Sequence, residues 1–141
     1  LTLAGVVLKG VLPVLAARWL GMDDSIIAAC ALAAFTGHLY PVFFGFQGGK
    51  GVATLLGVLV ATDWLCGLTF AGTWLFIALI FRYSSLAALV ASLVTPVVSL
   101  TLLPVAYAIA QTIMVILVFW RHRANIRNLV AGREDRIGDK T

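Results

Sequence analysis

A chain of 141 residues in which 62% of side chains are hydrophobic and only 11% are charged is far too apolar for a water-soluble domain of its size. Its mean hydropathy is +1.05, so the chain reads as an integral membrane protein. A net charge of +4 supplies topology signals and contacts with membrane lipid, and no nucleic-acid partner is expected.

The sequence opens at Leu1 without a methionine, and Lys9 already interrupts its first apolar residues. This pattern predicts a missing N-terminal part rather than a signal peptide. Leu1 to Trp19 reads as the end of a membrane helix kinked at Pro13. Leu20 to Ser25 reads as a loop, with Ser25 as the N-cap of the next helix. That helix starts with the alanine-rich run Ile26 to Phe35, whose small side chains allow close helix packing, and ends at Gly37 and Pro41.

Val52 to Ala61 is only ten apolar residues, well short of the roughly 20 that cross a bilayer. It is expected to be a short or broken span with a polar turn at its N-terminal end. Thr62-Asp63-Trp64 marks the far-side turn, and Leu65 to Phe81 returns. Arg82-Tyr83-Ser84-Ser85 forms another turn. Leu86 to Leu103, bent at Pro96, and Val105 to Trp120, after Pro104, complete the spans.

The expected architecture is an all-α, polytopic helical membrane bundle forming a single integral-membrane domain over residues 1–141. It has about six spans or partial spans, followed by a basic tail from Arg121 to Thr141. Charge supports the threading. Lys9, Lys50, Arg82, Arg121, Arg123, Arg127, Arg133, Arg136 and Lys140 fall on one side and only Arg18 on the other, beside Asp23, Asp24 and Asp63. The positive-inside bias then puts the Gly-Lys turn and the tail in the cytoplasm.

The turn Gly45-Phe46-Gln47-Gly48-Gly49-Lys50-Gly51 is the strongest chemical signal. Glycines let backbone N–H groups approach an anion closely, the lysine adds a charge, and a helix N-terminus follows. It is not a nucleotide P-loop, because Phe44 and Gly51 stand where that pattern requires a glycine and a hydroxyl residue. The plainer alternative is a tight cytoplasmic turn with Lys50 as a topology charge.

His122 and Asn125 lie three residues apart and would share a face on a continuing helix. Together they suit holding a phosphate or a hydroxyl; the alternative is a basic anchor for anionic headgroups. Ser84 and Ser85 read either as a helix N-cap or as donors to phosphate. Glu134 is a solvated carboxylate unless the tail shares that face. Cys30 and Cys66 lie in apolar runs and read as small packers. His38 and His122, the only histidines, have no ligand cluster around them, so neither a metal nor a cofactor is expected. No cysteine or serine stands with a base for covalent catalysis.

Three stretches also carry a resemblance. Gly37-His38-x-x-Pro41-Val42-Phe43-Phe44-Gly45-Phe46-x-Gly48-Gly49-Lys50-Gly51-Val52-Ala53-Thr54, with Tyr83-Ser84-Ser85-Leu86 and Arg121-His122-Arg123-x-Asn125-Ile126, closely resembles the bacterial acyl-phosphate:glycerol-3-phosphate acyltransferase family. Gly132-Arg133-Glu134 is similar to its glycine-x-glutamate tail motif. The resemblance implies a seven-helix inner-membrane enzyme of phospholipid biosynthesis. Such an enzyme acylates the 1-hydroxyl of glycerol 3-phosphate from acyl phosphate, giving lysophosphatidic acid and phosphate.

It further implies that Gly48, Gly49, Lys50 and Gly51 bind substrate phosphate. His38, Ser84, Ser85 and Glu134 would contribute, and Lys50, His122 and Asn125 would be the catalytic set. The family's first motif, a Ser-Gly-Asn-x-Gly-Ala-Thr-Asn stretch followed by an arginine, falls before Leu1. The His-x4-Asp motif of other acyltransferases is absent, since Phe43 and Arg127 stand at the positions where it would require aspartate. A competing reading is a small anion transporter that uses the short span as a broken helix.

Overall fold

In the computed structural model, residues 2–46 and 48–139 are described; Leu1, Gln47, Lys140 and Thr141 lie outside them, and with these the loop-side assignment of Lys140. The described residues form seven α-helices: α1 (Thr2–Trp19), α2 (Asp24–Leu39), α3 (Val52–Thr62), α4 (Trp64–Phe81), α5 (Ser84–Leu102), α6 (Val105–Arg121) and α7 (Arg123–Val130). A single 3₁₀ turn, Val42–Phe44, stands between α2 and α3.

Six of these helices close into a ring. α1 packs on α2 and α3, α3 on α4, α4 on α5, α5 on α6, and α6 returns to α2. Phe35, Leu39, Leu55, Leu59, Met114 and Val118 fill its centre. Large apolar side chains such as Leu68, Leu75 and Leu79 of α4 and Ile109, Ile113 and Ile116 of α6 point outward, as a lipid-facing surface requires.

Several small polar residues point inward instead. The Thr62 and Thr95 hydroxyls donate to carbonyls of their own helices, Val58 and Ser92. Ser99 donates to Gln111 at 2.6 Å, linking α5 to α6. In a bilayer, where no water competes, a bond such as that from Ser99 to Gln111 and close backbone approach hold helices together in place of a hydrophobic effect.

Among the described residues α1, α4 and α5 are long and apolar enough to cross a membrane. α6 and α7 together pass as one span bent by 62°, and α2 and α3 are shorter apolar helices. At 11 residues, α3 rises only about 16 Å. It can stand beside α1 because each helix places a glycine against the backbone of the other where they cross. A Cβ on Gly57 would strike the Val7 carbonyl, and one on Gly10 the Thr54 carbonyl.

The far end of the ring uses the acidic residues structurally. Asp63 caps α4 by accepting from the backbone N–H groups of Leu65 at 2.8 Å and Cys66 at 3.3 Å. Tyr107 donates to Asp24 at 2.8 Å, and Arg18 donates to the last carbonyls of α3, Ala61 at 3.0 Å and Thr62.

Two expectations are corrected, at Ser25 and at His122. Ser25 is not the N-cap of α2; Asp23 holds that position and Ser25 lies in the first turn. α2 ends at Leu39, between Gly37 and Pro41 as expected, which places His38 on its last turn. The helix does not continue through His122, because α6 and α7 meet there at the 62° bend. Within the basic tail, α7 lays Ile126 and Leu129 on the core, and the residues after it dock on the start of α5.

Gly57→Val should therefore lower stability by about 1–3 kcal/mol through forced separation of α1 and α3. Gly72→Ala, on α4 with open space around its Cβ position, should leave stability unchanged or slightly raised. Thermal unfolding in detergent distinguishes the two.

Candidate active site

A cavity of about 580 Å³ opens at the end of the ring where α3 and α5 begin and α4 and α6 finish. Leu56, Phe70, Trp74 and Ala88 form its apolar wall; Lys50, Ser84, Ser85, His122, Asn125 and Glu134 form its polar one. Four of the polar groups are joined. Lys50 Nζ donates to Asn125 Oδ1 at 2.7 Å, Asn125 Nδ2 donates to Glu134 Oε1 at 2.7 Å, and Ser85 Oγ donates to the same oxygen at 2.5 Å. Only one orientation of the Asn125 amide satisfies both neighbours, since the lysine can only donate and the ionised carboxylate only accept.

Each member arrives from a different segment. Lys50 precedes α3, Ser85 opens α5, Asn125 lies on α7, and Glu134 follows α7. Glu134 is more than a solvated tail residue. Burial alone would push its carboxyl up, but hydrogen bonds from Ser85, Asn125 and Asn128 and the charge of Lys50 outweigh it and hold the group below its usual range. Ser85 therefore does have an acidic partner, which the sequence did not suggest. A carboxylate of lowered pKa is a poor base, so the pair positions the hydroxyl rather than making it a nucleophile.

His122 sits at the bend just beyond α6, buried with 2% of its surface exposed. Its Nδ1 lies 2.8 Å from the Val118 carbonyl. A carbonyl only accepts, so Nδ1 carries the proton and Nε2 of the neutral ring is left as an acceptor. Burial lowers the pKa; the Val118 bond and Glu134 oppose this, and Lys50 reinforces it, with the net shift below 6.5. The imidazole is thus neutral at physiological pH.

The glycines lie on the other side of Lys50. Gly48 and Gly49 line a second cavity, of about 460 Å³, with Lys9, Gly37, His38 and Pro41. The turn is pressed so closely onto the end of α2 that Cβ atoms would collide with the His38 and Leu39 carbonyls at Gly48, with the His38 ring at Gly49, and with Phe35 and Leu39 at Gly51, whose φ is +84°. The carbonyls of Gly49 and Gly48 accept from Arg121, the former at 3.2 Å, and the Arg121 guanidinium lies 5.7 Å from the centre of the Tyr40 ring.

The structure thus gathers Lys50, Ser84, Ser85, His122, Asn125 and Glu134 around one cavity and places His38, Gly48 and Gly49 around an adjacent one. Gly51 caps α3 and lines neither. Sequence reasoning missed Arg121 as the residue that holds the turn. A juxtamembrane arginine looks the same whether it meets lipid or a carbonyl, so no signal in the sequence could have found it.

A polytopic helical bundle with a cavity polar at one end and apolar at the other, set where its helices end, defines a membrane protein equipped for an amphipathic ligand and an anion. The glycerol-3-phosphate acyltransferase family model matches residues 1–132, and the chain belongs to that family. A glycerol-3-phosphate acyltransferase of Burkholderia vietnamiensis is 54% identical over 145 residues, covering 99% of this chain and 68% of the relative. One of Burkholderia orbicola is 54% identical over 146 residues, covering 99% and 69%.

Two crystal structures of PlsY, an integral membrane glycerol 3-phosphate acyltransferase, superpose on the fold at 41% identity. The glycerol 3-phosphate form gives a TM-score of 0.89 over 94% of this chain and 68% of that one. The lysophosphatidic acid form gives 0.88 over 94% and 69%. The anion-transporter reading is not favoured by these relationships.

A His122 held below the ordinary histidine range predicts an acyltransferase rate that holds through neutral pH and falls only in more acid solution, as the ring protonates and loses its acceptor. His122→Gln keeps hydrogen-bonding capacity but does not titrate. If His122 is the group that titrates, this variant removes the acid fall; a normal rate with the fall intact would exclude the histidine as proton acceptor.

Proposed function

We propose that this protein transfers a fatty acyl group from acyl phosphate to the 1-hydroxyl of glycerol 3-phosphate, at the cytoplasmic face of the bacterial inner membrane. The observation that carries the reading is the divided cavity: a hydrogen-bonded cation, amide and hydroxyl at one end, continuous with an apolar slot at the other. PlsY, in crystal forms named for glycerol 3-phosphate and lysophosphatidic acid, supports the same pair of ligands here.

In this reading the acyl chain lies along Leu56, Phe70, Trp74 and Ala88, and Lys50 with the first N–H groups of α3 neutralises phosphate. The glycerol hydroxyl donates toward His122 Nε2. Its oxygen attacks the acyl carbonyl carbon, the bond from that carbon to the phosphate oxygen breaks, and phosphate departs with the electron pair. The hydroxyl proton passes to the imidazole or to phosphate. Acyl phosphate is a mixed anhydride and already activated, so positioning and charge neutralisation are the tasks left to the protein. That division of labour fits a Ser85 held by a weakly basic carboxylate.

The cytoplasmic assignment rests on charge. Lys50, Arg82, Arg121, Arg123 and Arg127 lie at the cavity end, whereas Arg18, Asp24 and Asp63 occupy the other. The buried polar residues within the spans do not favour a conduit, since Ser99 and Gln111 bond to each other and line neither cavity.

Incubating the complete protein in membranes with acyl phosphate and labelled glycerol 3-phosphate should yield lysophosphatidic acid. Lys50→Ala should cut the rate by about a hundredfold or more, the scale on which a preorganised charge acts; a near-normal rate removes its phosphate role. Ala88→Phe should narrow the slot and reduce kcat/KM for long-chain donors more than for short ones, while KM for glycerol 3-phosphate stays unchanged.

A further inference from the structure

After α7 the chain turns at Gly132, at φ +67°, and runs back across the corner between α4 and α5. The partners pair in opposite directions. Ile137 N–H donates to the Arg82 carbonyl at 2.6 Å, Arg136 Nε donates to the Tyr83 hydroxyl at 3.1 Å with its guanidinium 5.4 Å from that ring's centre, and Ser85 donates to Glu134. This is the order of an antiparallel pair, built from mixed backbone and side-chain contacts.

Arg82 is its anchor. Its Nε and Nη2 both donate to the Ile137 carbonyl, at 3.1 and 2.7 Å, and Nη2 also reaches Asp139 at 3.0 Å. With its own carbonyl it therefore holds both backbone groups of Ile137. To do so it stands at φ +60°, a left-handed conformation uncommon for a residue with a side chain. A turn needing only a helix stop would be served better by glycine. The ion pair with Asp139 is half exposed on both sides and adds little, so the fork onto Ile137 is the part that matters.

We propose that Arg82 is a positioning residue of the acyl-transfer site and Arg133–Asp139 a clasp that it locks. Fixing Ile137 sets where Glu134 stands. Glu134 fixes the Asn125 amide, and that amide aims Lys50. The inference rests on the reading of Lys50 as a phosphate group's partner, and it assigns a role to a residue that touches no substrate.

The test uses the complete protein in membranes, with acyl phosphate and glycerol 3-phosphate. Arg82→Ala should raise KM for glycerol 3-phosphate about tenfold or more, the scale of a small misplacement at a site. It should leave KM for the acyl donor and the thermal unfolding midpoint in detergent nearly unchanged. Arg82→Lys should recover part of the loss and Asp139→Asn should cost little. Ile137→Pro, which removes the N–H given to the Arg82 carbonyl but keeps the carbonyl that the guanidinium holds, should raise the same KM by less than Arg82→Ala does.

If Arg82 works through Glu134, the double variant Arg82→Ala with Glu134→Ala will be no worse than Glu134→Ala alone. Multiplying losses, or equal changes in both KM values, overturns the proposal. Should the unsubstituted protein make no lysophosphatidic acid, the acyl-transfer reading fails separately, and binding of labelled glycerol 3-phosphate by the same variants still decides whether the clasp sets that site.

Discussion

The site depends on the two hydrogen bonds of one amide. Asn125 accepts from Lys50 and donates to Glu134, and Glu134 accepts from Ser85. Through that amide the turn before α3, the start of α5, α7 and the segment beyond α7 become one unit. Neither a carboxylate nor an amine at position 125 could play both parts, because the first offers no donor and the second no acceptor. The two charges at the ends of this relay are held apart by a neutral group, so Lys50 keeps its charge available to an anion instead of spending it in a direct ion pair with Glu134.

The ring of helices explains how such a relay can be held in place. Gly10 and Gly57 let α1 and α3 touch backbone to backbone, which stands a helix of 11 residues among longer ones. Its N-terminal end thereby lies beside α5 and α7, and Arg121 draws the glycine turn toward the end of α6 through two carbonyls. The glycines serve less as an open cradle of N–H groups than as the only residues thin enough to lie against α2. The same packing divides the polar residues between two cavities that share one turn.

Much of this was legible from the residues. Hydropathy and the uneven placement of basic residues gave the bundle and its polar end, and the spacing of glycines around Lys50 marked the turn that proved central. The failures have physical causes. Asp23, Asp24 and Ser25 are all good N-caps, so composition could not choose among them. Nothing in Arg121-His122-Arg123-Ala124-Asn125 breaks a helix by propensity; the bend accompanies burial of the His122 ring, with Nδ1 on the Val118 carbonyl. The docking of Glu134 and Ile137 pairs residues about fifty positions apart, which leaves no period to read.

The shortness of α3 also bears on which reactant travels. A helix of about 16 Å is too short to cross a bilayer alone, and the slot beside the charged turn at its base is lined by Leu56 and Phe70. Lifting an acyl chain out of the bilayer costs about 0.8 kcal/mol for every methylene exposed to water. In the proposed reaction, a slot of apolar side chains beside the polar groups spares the tail that cost, so the small hydrophilic molecule is the one that travels.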